Sequence, residues 1–312
     1  MGEAYRYEAD YQQAAVHYEK SLGLRTYSEE VSVKLAKAIL ISGFPEKAAM
    51  LIEKILAMNR QNDQAVYWLG HAYIRMGQPE LAANLPQKFG FTQKTGWLHL
   101  LQGEIYELQN NIDAALISYS VAARLLPDEP LTLAATGRMN LVKNDYENAI
   151  INFGMALGKD PHNPRHLIEL GKAYEGLSDY ASASQIYAEV ISNNPQFVEA
   201  FYLAARVMGS SGDHASAVKT LEEGARRSQQ DPRFDMALGH EYRITGDYQK
   251  AIDAYERSVK KGGNGFVEAY RYIGSIHQEK LKDSKNAKKY FERYIKEGGQ
   301  NDEVRKLLAR LQ

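Results

Sequence analysis

Between Leu167 and Pro195 the chain reads as two amphipathic helices joined by a tight turn at Ser178, Asp179 and Tyr180. Gly171 and Ala183 stand where two such helices would cross at short distance, with Leu170, Tyr174 and Tyr187 beside them. Variants of this stretch recur along nearly the whole chain at spacings of 33 or 34 residues. The small position of the first helix is Gly2, Ala36, Gly70, Gly103, Gly137, Gly171, Ala205, Gly239 and Gly274. The small position of the second helix is Ala14, Ala48, Ala82, Ala115, Ala149, Ala183, Ala217, Ala251 and Ala287. Four residues after it, most repeats place a large side chain, such as Tyr119, Phe153, Tyr187, Leu221 or Tyr255. A small residue at a crossing lets two helix backbones approach, and the large one fills the groove beside the contact.

Turns such as Asn144-Asp145-Tyr146 and Gly246-Asp247-Tyr248 join the paired helices, and Pro127, Pro161 and Pro195 close second helices. The aspartates of these turns are expected to accept backbone N–H bonds at helix starts and to carry no further role. The phased glycines, tyrosines, alanines and prolines resemble the tetratricopeptide repeat, a helix-turn-helix unit of about 34 residues. The resemblance covers essentially the whole chain. It implies an all-α fold, an α-solenoid of about nine stacked units forming a right-handed superhelix. One unit cannot bury its own apolar face, so stability comes from stacking on neighbours.

Two places depart from the pattern. Pro86 stands in the third unit where the large residue belongs, and proline there removes a helix hydrogen bond and crowds the preceding turn. The second helix of that unit should kink or shorten. The array then divides either into units 1–3 (residues 1–91) and units 4–9 (residues 92–300), or suffers only a local kink absorbed by Phe89 and Phe91. The last unit has a longer turn, Lys280 to Asn286. Residues 301–312 follow as a C-terminal capping helix, with Val304, Leu307, Leu308 and Leu311 on one face. The first unit lacks most of its first helix, so the N-terminus reads as cut and open to end-to-end self-association around Tyr7, Tyr11 and Tyr18.

Composition changes this picture little. Net charge is -1 over 312 residues, with 44% hydrophobic residues, so no global attraction to nucleic acid or membrane is expected. With no cysteine there is no disulfide or thiolate chemistry. No apolar run approaches the ~20 residues of a membrane span, and cytoplasmic and periplasmic locations are equally compatible. Arg6 rules out a myristoylation signal after Gly2. There is no phosphate-binding loop, no HExxH and no paired His/Cys set. His162 and His166 are four apart but flank Pro164, and they read as polar loop residues. No catalytic residue, cofactor or metal is expected, and most of the 21 tyrosines read as core.

The resemblance implies that first helices line an inner groove where partners bind. The position after each crossing residue reads Glu3, Lys37, His71, Glu104, Arg138, Lys172, Arg206, His240 and Ser275. Arg138, Lys172, Arg206 and His240 are all basic or able to become so. Arg165, Arg243 and Arg271 add to them, with Tyr202 interleaved. Arginines that pair with carboxylates beside apolar pockets suit an acidic peptide or protein segment. The plainer account is a wet groove of solvated charges, some paired with Glu169, Glu175 or Glu199. The expectation is a non-catalytic protein-interaction scaffold. The alternative is the recruiting arm of a longer enzyme such as a glycosyltransferase, or of an envelope export, pilus or polysaccharide secretion system. Nucleic acid is not an expected partner.

Overall fold

The structure is a computed structural model that describes residues 11–24 and 28–311. Gly2, Glu3 and Tyr7 lie outside the described residues. The described residues form helices and no strand. The chain divides into two compact units, residues 1–177 and 178–312.

The first unit contains α1 (Tyr11–Leu24), α2 (Glu29–Ile41), α3 (Pro45–Met58), α4 (Asp63–Arg75), α5 (Pro79–Lys88), α6 (Gly96–Leu108), α7 (Ile112–Leu125), α8 (Pro130–Val142), α9 (Tyr146–Lys159) and α10 (Pro164–Gly176). Local sequence sets the bounds. Asn62, Thr95, Asn111 and Asp145 cap the starts of α4, α6, α7 and α9 by accepting a backbone N–H three residues on. Proline occupies the first turn of α3, α5, α8 and α10, where its missing N–H costs nothing.

Successive helices pack antiparallel, and the crossing positions are filled as their spacing demands. A methyl group added at Gly137 would stand 2.9 Å from the Phe153 ring, and one at Gly103 would overlap the Tyr119 ring. Both partners lie four residues after the crossing alanine of the second helix. Gly70 differs. Its second helix carries Pro86 at that position, and the space is taken by Leu101 of the following repeat, 2.5 Å from an added methyl. Helix α5 is indeed short, with 10 residues against 14 in α3, α7 and α9. It closes on Phe89, whose N–H bonds the Leu85 carbonyl, while the Phe91 N–H bonds the Pro86 carbonyl. Phe89 and Phe91 pack on an apolar cluster that runs from Val33 to Met139.

The second unit contains α11 (Tyr180–Asn193), α12 (Val198–Ser210), α13 (His214–Arg227), α14 (Pro232–Thr245), α15 (Tyr248–Gly262), α16 (Glu268–Ser275), α17 (Ser284–Lys296) and α18 (Asp302–Arg310). Asp179, Asp213, Asp247 and Asp283 cap α11, α13, α15 and α17, so the turn aspartates do what local chemistry asks of them. Gly239 and Gly274 meet Tyr255 and Phe291, each 2.5 Å from an added methyl. The long turn of the last repeat begins as a π-helical turn, Ile276–Lys280. Helix α18 buries Val304 and lays Leu307, Leu308 and Leu311 against the cluster formed by α15, α16 and α17.

Candidate functional site

In the first unit the residues that follow the crossing positions are partnered. His71 Nδ1 lies 2.8 Å from Glu104 Oε2, and Tyr67 donates to Glu104 Oε1 at 2.7 Å. Burial opposes protonation of His71, but the Glu104 carboxylate outweighs it and holds His71 above its ordinary value. Burial likewise opposes ionisation of Glu104, and the same pair holds Glu104 below its ordinary value. Arg138 donates to Glu107 at 3.2 Å, and Tyr119 donates to the same carboxylate oxygen at 2.7 Å. Lys172 donates to Glu169 at 3.0 Å. Lys37 stands 5.1 Å from the centre of the Trp68 ring. Arg165, at the start of α10, is exposed. His166 is not a loop residue. It is buried in α10, its Nδ1 has no hydrogen-bond partner, and burial pushes its pKa down to about 4.

The second unit holds a tighter group. His240 of α14 shares a hydrogen bond with Tyr255 of α15, its Nδ1 3.0 Å from the Tyr255 hydroxyl. Its ring meets Tyr272 of α16 edge-on at 4.7 Å. The guanidinium of Arg271 stands 4.4 Å from the centre of the Tyr272 ring and that of Arg243 5.7 Å from it. Arg271 is also bonded to Glu268 at 2.6 Å, whereas Arg243 is exposed and forms no ion pair among the described residues. Burial, then the Arg243 and Arg271 charges, push the His240 pKa down to about 4. His240 is therefore neutral near pH 7 and adds a hydrogen-bonding edge, not a charge.

Further along the unit, Tyr202 of α12 meets Phe234 edge-on at 6.1 Å. It carries Arg233 5.7 Å from its ring centre, and Asp231 accepts bonds from Nε and Nη2 of that guanidinium. Arg206 is exposed.

The structure thus gathers His240, Arg243 and Arg271 and adds Tyr272, which the sequence reading passed over. The only trace of it is an aromatic residue directly after Arg271. The hydroxyls of Tyr67, Tyr119, Tyr290 and Tyr294 are each held by a glutamate. Among the described residues no cluster of three His, Asp or Glu could hold a metal ion. Among the same residues no helix is long and apolar enough to cross a membrane.

No curated protein matches the chain. Human IFIT1, as a dimer with m7Gppp-AAAA, is similar in fold with a TM-score of 0.64 at 14% identity, over 97% of this chain and 77% of that one. PilF of Pseudomonas aeruginosa gives 0.55 at 18% identity, over 68% and 96%. A tetratricopeptide repeat protein of Parabacteroides merdae gives 0.50 at 16%, over 91% and 98%. At such identities the likeness shows the fold, an α-solenoid of helix pairs. Three tetratricopeptide repeat families match residues 176–240, 236–260 and 268–297. The matches and the crossing geometry agree, and residues 176–297 are a run of tetratricopeptide repeats.

Proposed function

We propose that this chain is a non-catalytic scaffold that holds an acidic peptide or protein segment on the inner faces of its first helices. The observation that carries the reading is the cluster of Arg243 and Arg271 around Tyr272, with neutral His240 at its edge. Two guanidinium groups held against one aromatic ring are preorganised donors for a carboxylate, and Tyr272 supplies an apolar floor for the neighbouring side chain. Among the described residues Arg243 has no carboxylate of its own to surrender, so a ligand carboxylate would not have to displace one. Arg206 and Tyr202 extend the reading within the second unit. Arg138, Lys172 and Arg165 extend it in the first, where Arg138 and Lys172 would have to share acids they already hold.

The test is fluorescence anisotropy with a short labelled peptide that alternates glutamate with leucine. Binding should weaken as salt rises and should fall at least about tenfold in the Arg243→Glu/Arg271→Glu variant. Affinity indifferent to both would remove the groove assignment. An RNA oligonucleotide that bound better than the peptide would replace the peptide reading.

A further inference from the structure

The outward stripes of α7 and α9 are apolar where water should favour polar residues. Two residues after each crossing alanine stand Ile117 and Ile151, 67% and 56% exposed. Farther along the same stripes Leu125 and Met155 are 53% and 54% exposed. The position is apolar in α1 and α3 as well, at Val16 and Met50, and Asn84 interrupts it in α5. In the second unit the same position reads Gln185, Lys219, Asp253 and Lys289, all exposed. The apolar row therefore belongs to the first unit and is not a property of the repeat.

Helix α9 adds a second sign. A methyl group at Gly154 or Gly158 would meet nothing within 4 Å. The fold does not need glycine there, unlike at Gly103 and Gly137, yet glycine is a poor residue for a helix interior. Beside Ile151 and Met155, two bare backbone positions let another surface approach closely.

The charges say which surface. Asp113 and Glu147 lie in the first turns of α7 and α9, and Arg124 and Lys159 in their last turns. Each stripe therefore runs from acid, through an apolar middle, to base. A copy related by a two-fold axis across the helices would lay acid ends on base ends and apolar middle on apolar middle. Such an isologous contact is self-complementary. Glu147 and Arg124 are exposed and form no ion pair among the described residues. Asp113 pairs with Lys143 and Lys159 with Asp128, with the two aspartate side chains 79% and 86% exposed and able to accept further bonds. The apolar side chains of the row expose on the order of 500 Å², close to the apolar share of a standard interface of ~800 Å² per partner. We propose that this outer face of the first unit is a homodimer interface, occupied by a second copy of the chain with its α7 and α9 antiparallel to the first.

Sedimentation equilibrium of the full chain from about 1 to 100 μM tests this. The expected species is a closed dimer. Ile117→Lys/Ile151→Lys should weaken it about a hundredfold, while circular dichroism and melting stay as in the parent, since both side chains face water. Lys219→Glu, in the second unit, should leave the dimer intact. Glu147→Lys should weaken it, and mixing that variant with Lys159→Glu should restore a heterodimer. A monomer at the highest concentration overturns the proposal. So does a dimer that survives the double substitution, or an open series of larger assemblies. Should the double lysine variant misfold, Ile117→Gln/Ile151→Gln makes the same test.

Discussion

At the residue scale, the repeats with a crossing glycine are held by what that glycine excludes. Gly103 is glycine because the Tyr119 ring occupies the space of a side chain, whereas Gly154 sits in open space on an exposed helix face. The same substitution should therefore have opposite signs. Gly103→Ala must push Tyr119 off its seat and strain its bond to Glu107, costing about 1–3 kcal/mol. Gly154→Ala meets nothing and should gain up to about 1 kcal/mol of helix propensity in the folded monomer. Chemical denaturation at concentrations where the chain is monomeric checks both. Equal losses at the two sites would refute the packing account. The tyrosines follow similar logic. A tyrosine ring large enough to fill the crossing groove carries a hydroxyl, which Glu107 receives from Tyr119 and His240 shares with Tyr255.

At the element scale, α5 is the exception that shows how the array tolerates a defect. Pro86 cannot donate to the Ala82 carbonyl and cannot reach over Gly70, so Leu101 fills that space. Pro86→Ala returns the donor without competing for the space and should stabilise the first unit by about 1 kcal/mol. Pro86→Phe returns the donor but contests the place of Leu101, and its gain should be smaller or negative. Thermal melts of the two variants separate backbone from packing. If phenylalanine stabilised more than alanine, Leu101 would be filling the gap only by default. Helix pairing, crossing residues, caps and the terminal helix were legible in the sequence because each depends on neighbours within one repeat. The partners of His71 and Arg138 were not, since they come from adjacent repeats, whereas Glu169 beside Lys172 lies on the same helix and was. His71 meets Glu104 at a separation of 33 residues and Arg138 meets Glu107 at 31. A search for opposite charges one repeat apart would have found them. The Arg243, Tyr272 and Arg271 cluster carried a weaker signal, because it joins first helices of two repeats at unlike positions.

At the scale of the whole molecule, the histidines set how stability responds to pH, and they do not act alike. His166 and His240, one in each unit, have pKa values pushed down to about 4, chiefly by burial. In the unfolded chain both titrate near 6.5. Between roughly pH 6.5 and 4 the unfolded chain takes up protons that the folded chain refuses, so these two groups lower stability as the solution is acidified. His71 works in the other direction. Glu104 raises its pKa, so its contribution is fully present below about 6.5 and fades as pH rises through the folded value. Glu104, held low by the same partner, keeps its share until the pH falls through the carboxylate range. The melting temperature should therefore fall from pH 7 to 5, with His71 blunting the fall. His166→Phe also removes a buried nitrogen that has no partner, so it should flatten the profile and cost little at pH 7. His71→Gln should steepen the fall, because it keeps a donor for Glu104 but removes the group that gains from acid. Melts of the parent and both variants at pH 5, 6 and 7 decide the matter. Three parallel profiles would show that these histidines are not the groups that link folding to protons.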